Sequence, residues 1–295
     1  MLILSIALLI LGLGVNYLWQ SRGPELAPRA EGNLRIATLN VHYIIMGQRE
    51  GRWSEANFAN RQAPLDATFK ALGADIVGFQ EMESFARRSS NDVNLARDWL
   101  LAENPGYAAA ASGDPAQFPS TQPILYRPDR LELLDQGWFF FSETPDVIYS
   151  RTFNGSFPAF ASWADFEVRE TGNSFRVLNI HLDYSSRENR RLSTELIADR
   201  VAGWRAEGRE VILIGDMNAL RGSRLHRMLE GEGLSFLPVA GATVHFDRGL
   251  NLFGAIDHVA HSDGLRPVGA PMVYREKLGE VWPTDHYPVL ADFAL

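Results

Sequence analysis

Eight polar residues suited to metal-assisted phosphoryl chemistry border apolar segments of this 295-residue chain. Asp216 and Asn218, for example, follow the apolar residues 211–214 and Gly215. Carboxylate and amide oxygens bind magnesium-class ions, and a bound cation is what makes several carboxylates attractive to a phosphate. We therefore predict a metal-dependent phosphoesterase site built from Asn40, Glu81, His181, Asp216, Asn218, Asp257, Asp285 and His286.

Each of these residues taken alone also has an ordinary structural use. Asn40 suits a turn at the end of a strand, and Asp216 with Asn218 suits an Asx turn. Glu81 suits the start of a helix, where it meets free backbone N–H groups, and His181 suits a hydrogen-bonded core position. The functional prediction therefore depends on the eight residues occurring together.

The elements that must position these residues are strands, with a few helices between them. Strand ends at one edge of a sheet converge, so a rigid scaffold can bring together residues that are distant in sequence. The patterns predict helices at residues 61–72, 91–103 and 188–205, and strands at 34–39, 75–79, 122–126, 131–141, 160–168, 175–182, 211–214, 255–261 and 287–295. Residues 143–156 and 231–254 are predicted long loops, which are often functional.

The N-terminal segment, residues 1–21, contains no charged side chain. About 20 apolar residues can cross a bilayer as a helix, and Tyr17 and Trp19 suit a membrane interface. We expect a hydrophobic helix that anchors an extracytoplasmic catalytic domain, the alternative being a cleaved signal and a secreted protein. Residues 22–33 are predicted to be a linker, and residues 34–295 the catalytic domain.

Composition excludes some classes of site. The chain has no cysteine, so disulfides and thiolate metal sites are excluded. The formal net charge of −8 argues against a protein that coats nucleic acid, since phosphate binding draws on a basic surface. A local basic groove remains compatible with this charge.

Six short motifs in order resemble the endonuclease/exonuclease/phosphatase superfamily. They are LNV at 39–41, FQE at 79–81, NIHLD at 179–183, GDMN at 215–218, IDH at 256–258 and TDHYP at 284–288. The segment at 142–146 resembles the deoxyribonuclease/deadenylase-like branch. This resemblance, over residues 34–295, implies an α/β fold: a four-layered α/β/β/α sandwich with two central mixed sheets, here preceded by the N-terminal hydrophobic helix.

The resemblance also implies a metal site. Glu81 would be the principal ligand of Mg²⁺ or Mn²⁺, with Asn40 beside it and Asp285 joining. Some relatives have an aspartate two residues after the first asparagine, where this chain has His42. This departure would change the metal shell.

The remaining catalytic roles are implied in the same way. His286, oriented by Asp257, would form a dyad at the scissile phosphate. Asp216 would position or deprotonate the attacking water. Asn218 and His181 would bind the non-bridging phosphate oxygens.

Substrate binding is where the chain departs most from this pattern. Many relatives in this branch have an arginine where this chain has Ala159. A substitute cation could come from Arg151, Arg187 or Arg190, and Trp53 is a candidate for stacking on substrate.

The predicted substrate is a phosphate ester: a nucleic acid, a lipid headgroup or a small metabolite. The catalytic domain is expected to be a monomer. A membrane-tethered or secreted nuclease is the alternative enzyme. A catalytically silent binding module would have lost site residues, and all eight are present.

Overall fold

The computed structural model describes residues 2–85, 93–119 and 121–294. Its helices are α1 (Leu2–Gln20), α2 (Glu55–Leu72), α3 (Leu95–Glu103), α4 (Arg187–Ala206) and α5 (Arg224–Gly231). Its strands are β1 (Asn33–Asn40), β2 (Ile44–Ile45), β3 (Ile76–Gln80), β4 (Ser84–Phe85), β5 (Ala108–Ala110), β6 (Ile124–Tyr126), β7 (Leu131–Phe140), β8 (Phe160–Val168), β9 (Ser174–His181), β10 (Val211–Asp216), β11 (Leu234–Phe236), β12 (Asp257–Ser262), β13 (Arg266–Val273) and β14 (Val289–Ala294).

Most strands form two mixed sheets. The first has the order β13-β14-β1-β3-β6-β5 and the second β11-β12-β10-β9-β8-β7, while β2 and β4 form a small third sheet. Each large sheet has one parallel pair, β1 with β3 and β9 with β10, and its other neighbours are antiparallel. In both parallel pairs a helix, α2 or α4, connects the strands, as parallel pairing requires.

Three apolar clusters hold the layers together. The first lies between the sheets and joins Ile36 on β1 to Ile214 on β10. The second packs α2 and α3 on the outer face of the first sheet, and the third packs α4 and α5 on the outer face of the second. The order of layers is therefore helices, sheet, sheet, helices, and the predicted α/β fold with two mixed sheets is confirmed.

Several element boundaries differ from the sequence prediction. Helix α2 begins at Glu55 rather than at residue 61, because the Ser54 hydroxyl accepts a hydrogen bond from Asn57 N and caps the helix there. Strand β13 was not predicted, since Pro267 and Gly269 interrupt its pattern; both are tolerated on this edge strand. The short α5 was also missed, and β11 lies inside the predicted loop 231–254.

Helix α1 is apolar and its described side chains are mostly exposed. Its C-terminal half contacts the loop before β12, where Tyr17 Oη donates to Gly249 O at 3.2 Å. No helix in the described part of the chain is long and apolar enough to cross a membrane. The anchor expected for residues 1–21 stays a prediction.

Candidate active site

Four of the predicted site residues lie at the carboxyl ends of the two parallel strand pairs. Asn40 ends β1, and Glu81 comes directly after β3. His181 ends β9 and pairs in register with Asp216, which ends β10. Because the two sheets pack face to face, these strand ends lie at one edge of the sandwich.

The side chains of these residues meet. Asn40 Nδ2 lies 3.1 Å from Glu81 Oε1 and 3.3 Å from Asp216 Oδ2. His181 Nε2 lies 3.9 Å from Glu81 Oε1 and 3.7 Å from Asp216 Oδ2. Asn40 and Asp216 are 1% exposed, so the two sheets contribute to one largely buried polar site.

The turn after β10 aims its residues at the site. A Cβ on Gly215, whose φ is 142°, would lie 2.0 Å from Ile180 O, so only glycine fits this close approach. Asn218 N donates to Asp216 Oδ1 at 2.8 Å, which makes the Asx turn. Asn218 Nδ2 also donates to Leu182 O at 2.8 Å. The structural and functional uses of this motif therefore coexist.

Backbone strain is concentrated in the same place. Four non-glycine residues around the site have left-handed φ values: His42 at 63°, Glu81 at 54°, Asn218 at 47° and Asp247 at 55°. Such conformations cost about 1–3 kcal/mol each and cluster at functional sites. Here they form the tight turns that direct side chains inward from the strand ends.

Two of the predicted catalytic residues form a buried dyad. His286 Nδ1 lies 3.0 Å from Asp257 Oδ2 and 3.2 Å from Oδ1. The other ring nitrogen, Nε2, lies 3.9 Å from Asp216 Oδ2. Asp257 therefore fixes the orientation of the ring, and Nε2 faces the site.

Nearby charges and burial shift the pKa values of the two groups that face each other, His286 and Asp216. Burial lowers the pKa of His286, but the charges of Asp257, Asp216 and Asp285 outweigh it and raise that pKa to about 10. Burial and the Asp257 charge raise the pKa of the Asp216 carboxyl to about 6, although His286 and His181 oppose the shift. The site thus pairs a cationic imidazolium with a carboxyl group that titrates near neutrality.

Asp285 belongs to a second group of charged residues at the rim. Its Oδ1 lies 3.1 Å from His42 Nε2, and its Oδ2 lies 2.5 Å from Arg52 Nη2. Arg52 Nη2 also lies 3.1 Å from Asp247 Oδ2. The backbone N–H of His245 donates to Asp285 O at 2.8 Å and ties the loop before β12 to this group. Sequence reasoning did not place Arg52 or Asp247 at the site.

Arg61, on α2, donates hydrogen bonds to the loops that carry site residues. It is 4% exposed, and its Nη1 donates to Val41 O at 3.0 Å and to Pro283 O at 2.7 Å. Burial lowers its pKa to about 10. Thr284 Oγ1 adds a bond of 2.8 Å to Asn40 O. The segments that carry Asn40 and Asp285 are therefore joined by two sets of hydrogen bonds.

The predicted substrate-binding residues lie in varied surroundings. Trp53 stacks on Tyr43 with ring centroids 5.4 Å apart. Arg190 Nη1 donates to Asp183 O at 2.6 Å, two residues beyond His181. Arg151 Nη1 donates to Gly155 O in its own loop, and Arg187 is the first residue of α4. Their role in substrate binding stays a prediction.

A pocket adjoins the Glu81 and His181 side of the site. Ala159, where the resemblance led us to expect an arginine, lines this pocket. Glu83 also lines it, and burial together with the Glu81 charge raises the pKa of the Glu83 carboxyl to about 8. The complete lining is Glu81, Glu83, Thr121, Gln122, Pro158, Ala159, Phe160 and His181.

Two groups of side chains could hold a divalent cation, and neither includes the predicted ligand Glu81. Among the described residues, two groups place three ligand atoms within 4.8 Å of one another: His42 with Asp247 and Asp285, and Asp216 with Asp257 and His286. Carboxylate oxygens of this kind suit magnesium-class ions. The second group is already hydrogen-bonded as the dyad, and the first already binds the Arg52 guanidinium.

A family model described as the Endonuclease/Exonuclease/phosphatase family matches residues 37–286. No curated protein sequence matches the chain.

Solved structures share the fold. A mannosyl-6-phosphatase from Bacteroides thetaiotaomicron is 21% identical, with a TM-score of 0.73, and the alignment covers 89% of this chain and 100% of that one. A Bacteroides vulgatus protein titled endonuclease/exonuclease/phosphatase is 24% identical, with a TM-score of 0.73 and coverage of 89% and 99%. D. rerio TDP2, complexed with a single-strand DNA product, is 16% identical, with a TM-score of 0.61 and coverage of 90% and 100%. At these identities the likeness shows the fold alone.

Proposed function

The chain belongs to the Endonuclease/Exonuclease/phosphatase family and is a metal-dependent phosphoric ester hydrolase, and from this premise we propose that it works by water attack on phosphorus with Mg²⁺ and an Asp–His dyad. The observation that carries the proposal is the position of His286. One ring nitrogen is held by Asp257 at 3.0 Å, while the other faces the Asp216 carboxylate at 3.9 Å. An oriented cation thus lies opposite a candidate base.

Glu81, Asn40 and Asp285 would hold the metal. When bound, Mg²⁺ offsets charge that grows on the phosphate oxygens. The surroundings support this assignment, because Asp216 and Asp247 add further negative charge that a phosphate would otherwise meet. The oxygen-rich donor set favours Mg²⁺ or Mn²⁺ over softer ions.

Asp216 is assigned as the general base that accepts the proton of the attacking water. Its pKa of about 6 is close to neutral pH, where a general base is most effective. The water oxygen bonds to phosphorus, its proton passes to Asp216, the ester P–O bond breaks, and solvent protonates the leaving oxygen. The imidazolium of His286 donates a hydrogen bond to the phosphate as negative charge develops. His181 and Asn218 are assigned to bind the remaining phosphate oxygens.

The test compares hydrolysis of bis-p-nitrophenyl phosphate and p-nitrophenyl phosphate with Mg²⁺, with Mn²⁺ and with chelator. Asp216→Asn keeps the shape of the side chain but removes the base, and general base catalysis contributes about 10²–10⁴-fold. Asp263→Asn, on an exposed surface, is the matched control for loss of one carboxylate. If neither ester is cleaved, and nucleic acids, phospholipids and sugar phosphates also stay intact, the proposal fails.

A further inference from the structure

The pocket beside Glu81 and His181 has a chemical character that bears on the substrate. Its polar lining includes the carboxyl groups of Glu81 and Glu83. The described lining contains no lysine or arginine, and Ala159 contributes only a methyl group to it. A second phosphate entering this pocket would find no lysine or arginine to pair with, and burial of a charge without a partner is costly.

Gln122 supplies an uncharged acceptor in the same wall. The residue is 5% exposed, and its Nε2 donates to Phe160 O. Its backbone carbonyl accepts from Ser162 Oγ at 2.7 Å and from Asn179 Nδ2 at 3.3 Å, so the residue is held firmly. Its side-chain Oε1 is buried and has no hydrogen-bond partner within the described structure.

An unpaired buried acceptor is costly, by about 1–3 kcal/mol, so it is rare without a reason. A ligand hydroxyl in the pocket would supply the missing donor. The carboxyl oxygens of the lining also accept hydrogen bonds, so together with Gln122 they complement a group with several donors. Apolar surface from Pro158, Ala159 and Phe160 lies beside these acceptors and suits the carbon skeleton of such a group.

We propose that this pocket binds an uncharged, hydroxyl-rich part of the substrate, a sugar or polyol, and disfavours a second phosphate. The inference rests on the proposed function and names the substrate class for that same site. A cationic headgroup would also meet the carboxylates, but its burial against the apolar wall carries a larger desolvation cost than that of a hydroxyl group.

The test uses four matched substrates, each offered as a phosphomonoester and as its methyl diester. They are a hexose 6-phosphate, hexyl phosphate, a hexose 1,6-bisphosphate and phosphocholine. We expect the hexose phosphate to exceed each of the others by about tenfold or more in kcat/KM, since a factor of ten corresponds to about 1.4 kcal/mol. One or two satisfied hydrogen bonds supply a difference of that size.

Two variants test the assignment through substrate ratios, which cancel any general loss of active protein. Ala159→Arg adds a cation to the pocket and should raise the bisphosphate-to-monophosphate ratio about tenfold. Gln122→Met removes the acceptor and should lower the hexose-to-hexyl ratio about tenfold. Leu134→Arg adds the same charge at an exposed position on β7 and should leave both ratios unchanged.

The outcomes separate the two proposals. If no p-nitrophenyl ester and no member of the panel is cleaved, the proposed function itself fails. If the p-nitrophenyl esters are cleaved but hexose and hexyl phosphates react equally, the pocket assignment alone is overturned. Preference for phosphocholine or for the bisphosphate overturns it as well, as does an unchanged pair of ratios in both variants.

Discussion

Replacing Asp257 with asparagine should convert His286 from a cation to a neutral ring at neutral pH. The carboxylate lies 3.0 Å from the ring nitrogen. At an effective dielectric constant of about 20, two unit charges at that distance interact by about 5 kcal/mol, which corresponds to about 4 pKa units. The pKa of His286, raised to about 10 in the native protein, should therefore fall to about 6 or below.

The assay is NMR titration of histidine ring nitrogens in ¹⁵N-labelled, metal-free protein, with His286→Gln used to assign the resonance. Native His286 should remain imidazolium at pH 8, whereas in Asp257→Asn it should be neutral at pH 7. Loss of a charged donor at a transition state costs about 10²–10³ in kcat, so phosphoester hydrolysis should fall by that factor. Asp263→Asn, at an exposed surface, should change neither quantity.

Two results would refute this reasoning. Titration of native His286 near pH 6.5 would show that Asp257 does not hold the ring charged. An unchanged His286 resonance in Asp257→Asn, with activity lost, would show that the aspartate acts by some route other than the charge on its neighbour.

The remaining predictions concern the metal and acid stability. Glu81→Gln should weaken Mn²⁺ binding by about tenfold or more in calorimetry, since loss of even a supporting group costs about 10–100-fold in metal affinity. Glu83→Gln is the neighbouring control. Equal Mn²⁺ affinity in Glu81→Gln and the native protein would remove Glu81 from the ligand set. Burial lowers the pKa of His226 to about 3, so between pH 6.5 and 3 the unfolded chain binds a proton that the folded chain does not. In urea unfolding, His226 should leave stability unchanged above pH 6.5 and contribute a fall of up to about 1.4 kcal/mol per pH unit below it. His226→Phe should flatten that slope, and an equally steep slope in the variant would assign the acid sensitivity elsewhere.

The strand-end residues were predictable because their signals are local. Residues 34–39 are mostly apolar and precede Asn40, residues 211–214 are apolar and precede Gly215 and Asp216, and both segments lie in strands of the two sheets. The parallel pairing of β9 with β10 places His181 opposite Asp216. Once such strands lie in packed sheets, the meeting of their end residues follows from the geometry.

The rim of the site was not predictable in the same way. Arg52 and Asp247 lie 195 positions apart in loops, and neither position follows an apolar strand. They meet because the loop before β12 pairs with the segment before β14, through a bridge between Val244 and His286. Aspartate tolerates the left-handed φ that completes the contact at Asp247, but the residue type alone does not predict that conformation. Glu83 is similar, since only the path of the chain after β3 brings it to the pocket.

The charge balance distinguishes the proposed metal site from the adjoining pocket. Five carboxylates, those of Glu81, Asp216, Asp247, Asp257 and Asp285, face the cations of His286 and Arg52, which leaves a formal charge of 2 − 5 = −3 with all five ionised. A divalent ion offsets most of that deficit and allows a phosphate to approach. The lining of the adjoining pocket contains no lysine or arginine that would pair with a further phosphate. The same chain can therefore accept one phosphate at the metal and disfavour a second beside it, which is the selectivity that the Ala159→Arg comparison measures.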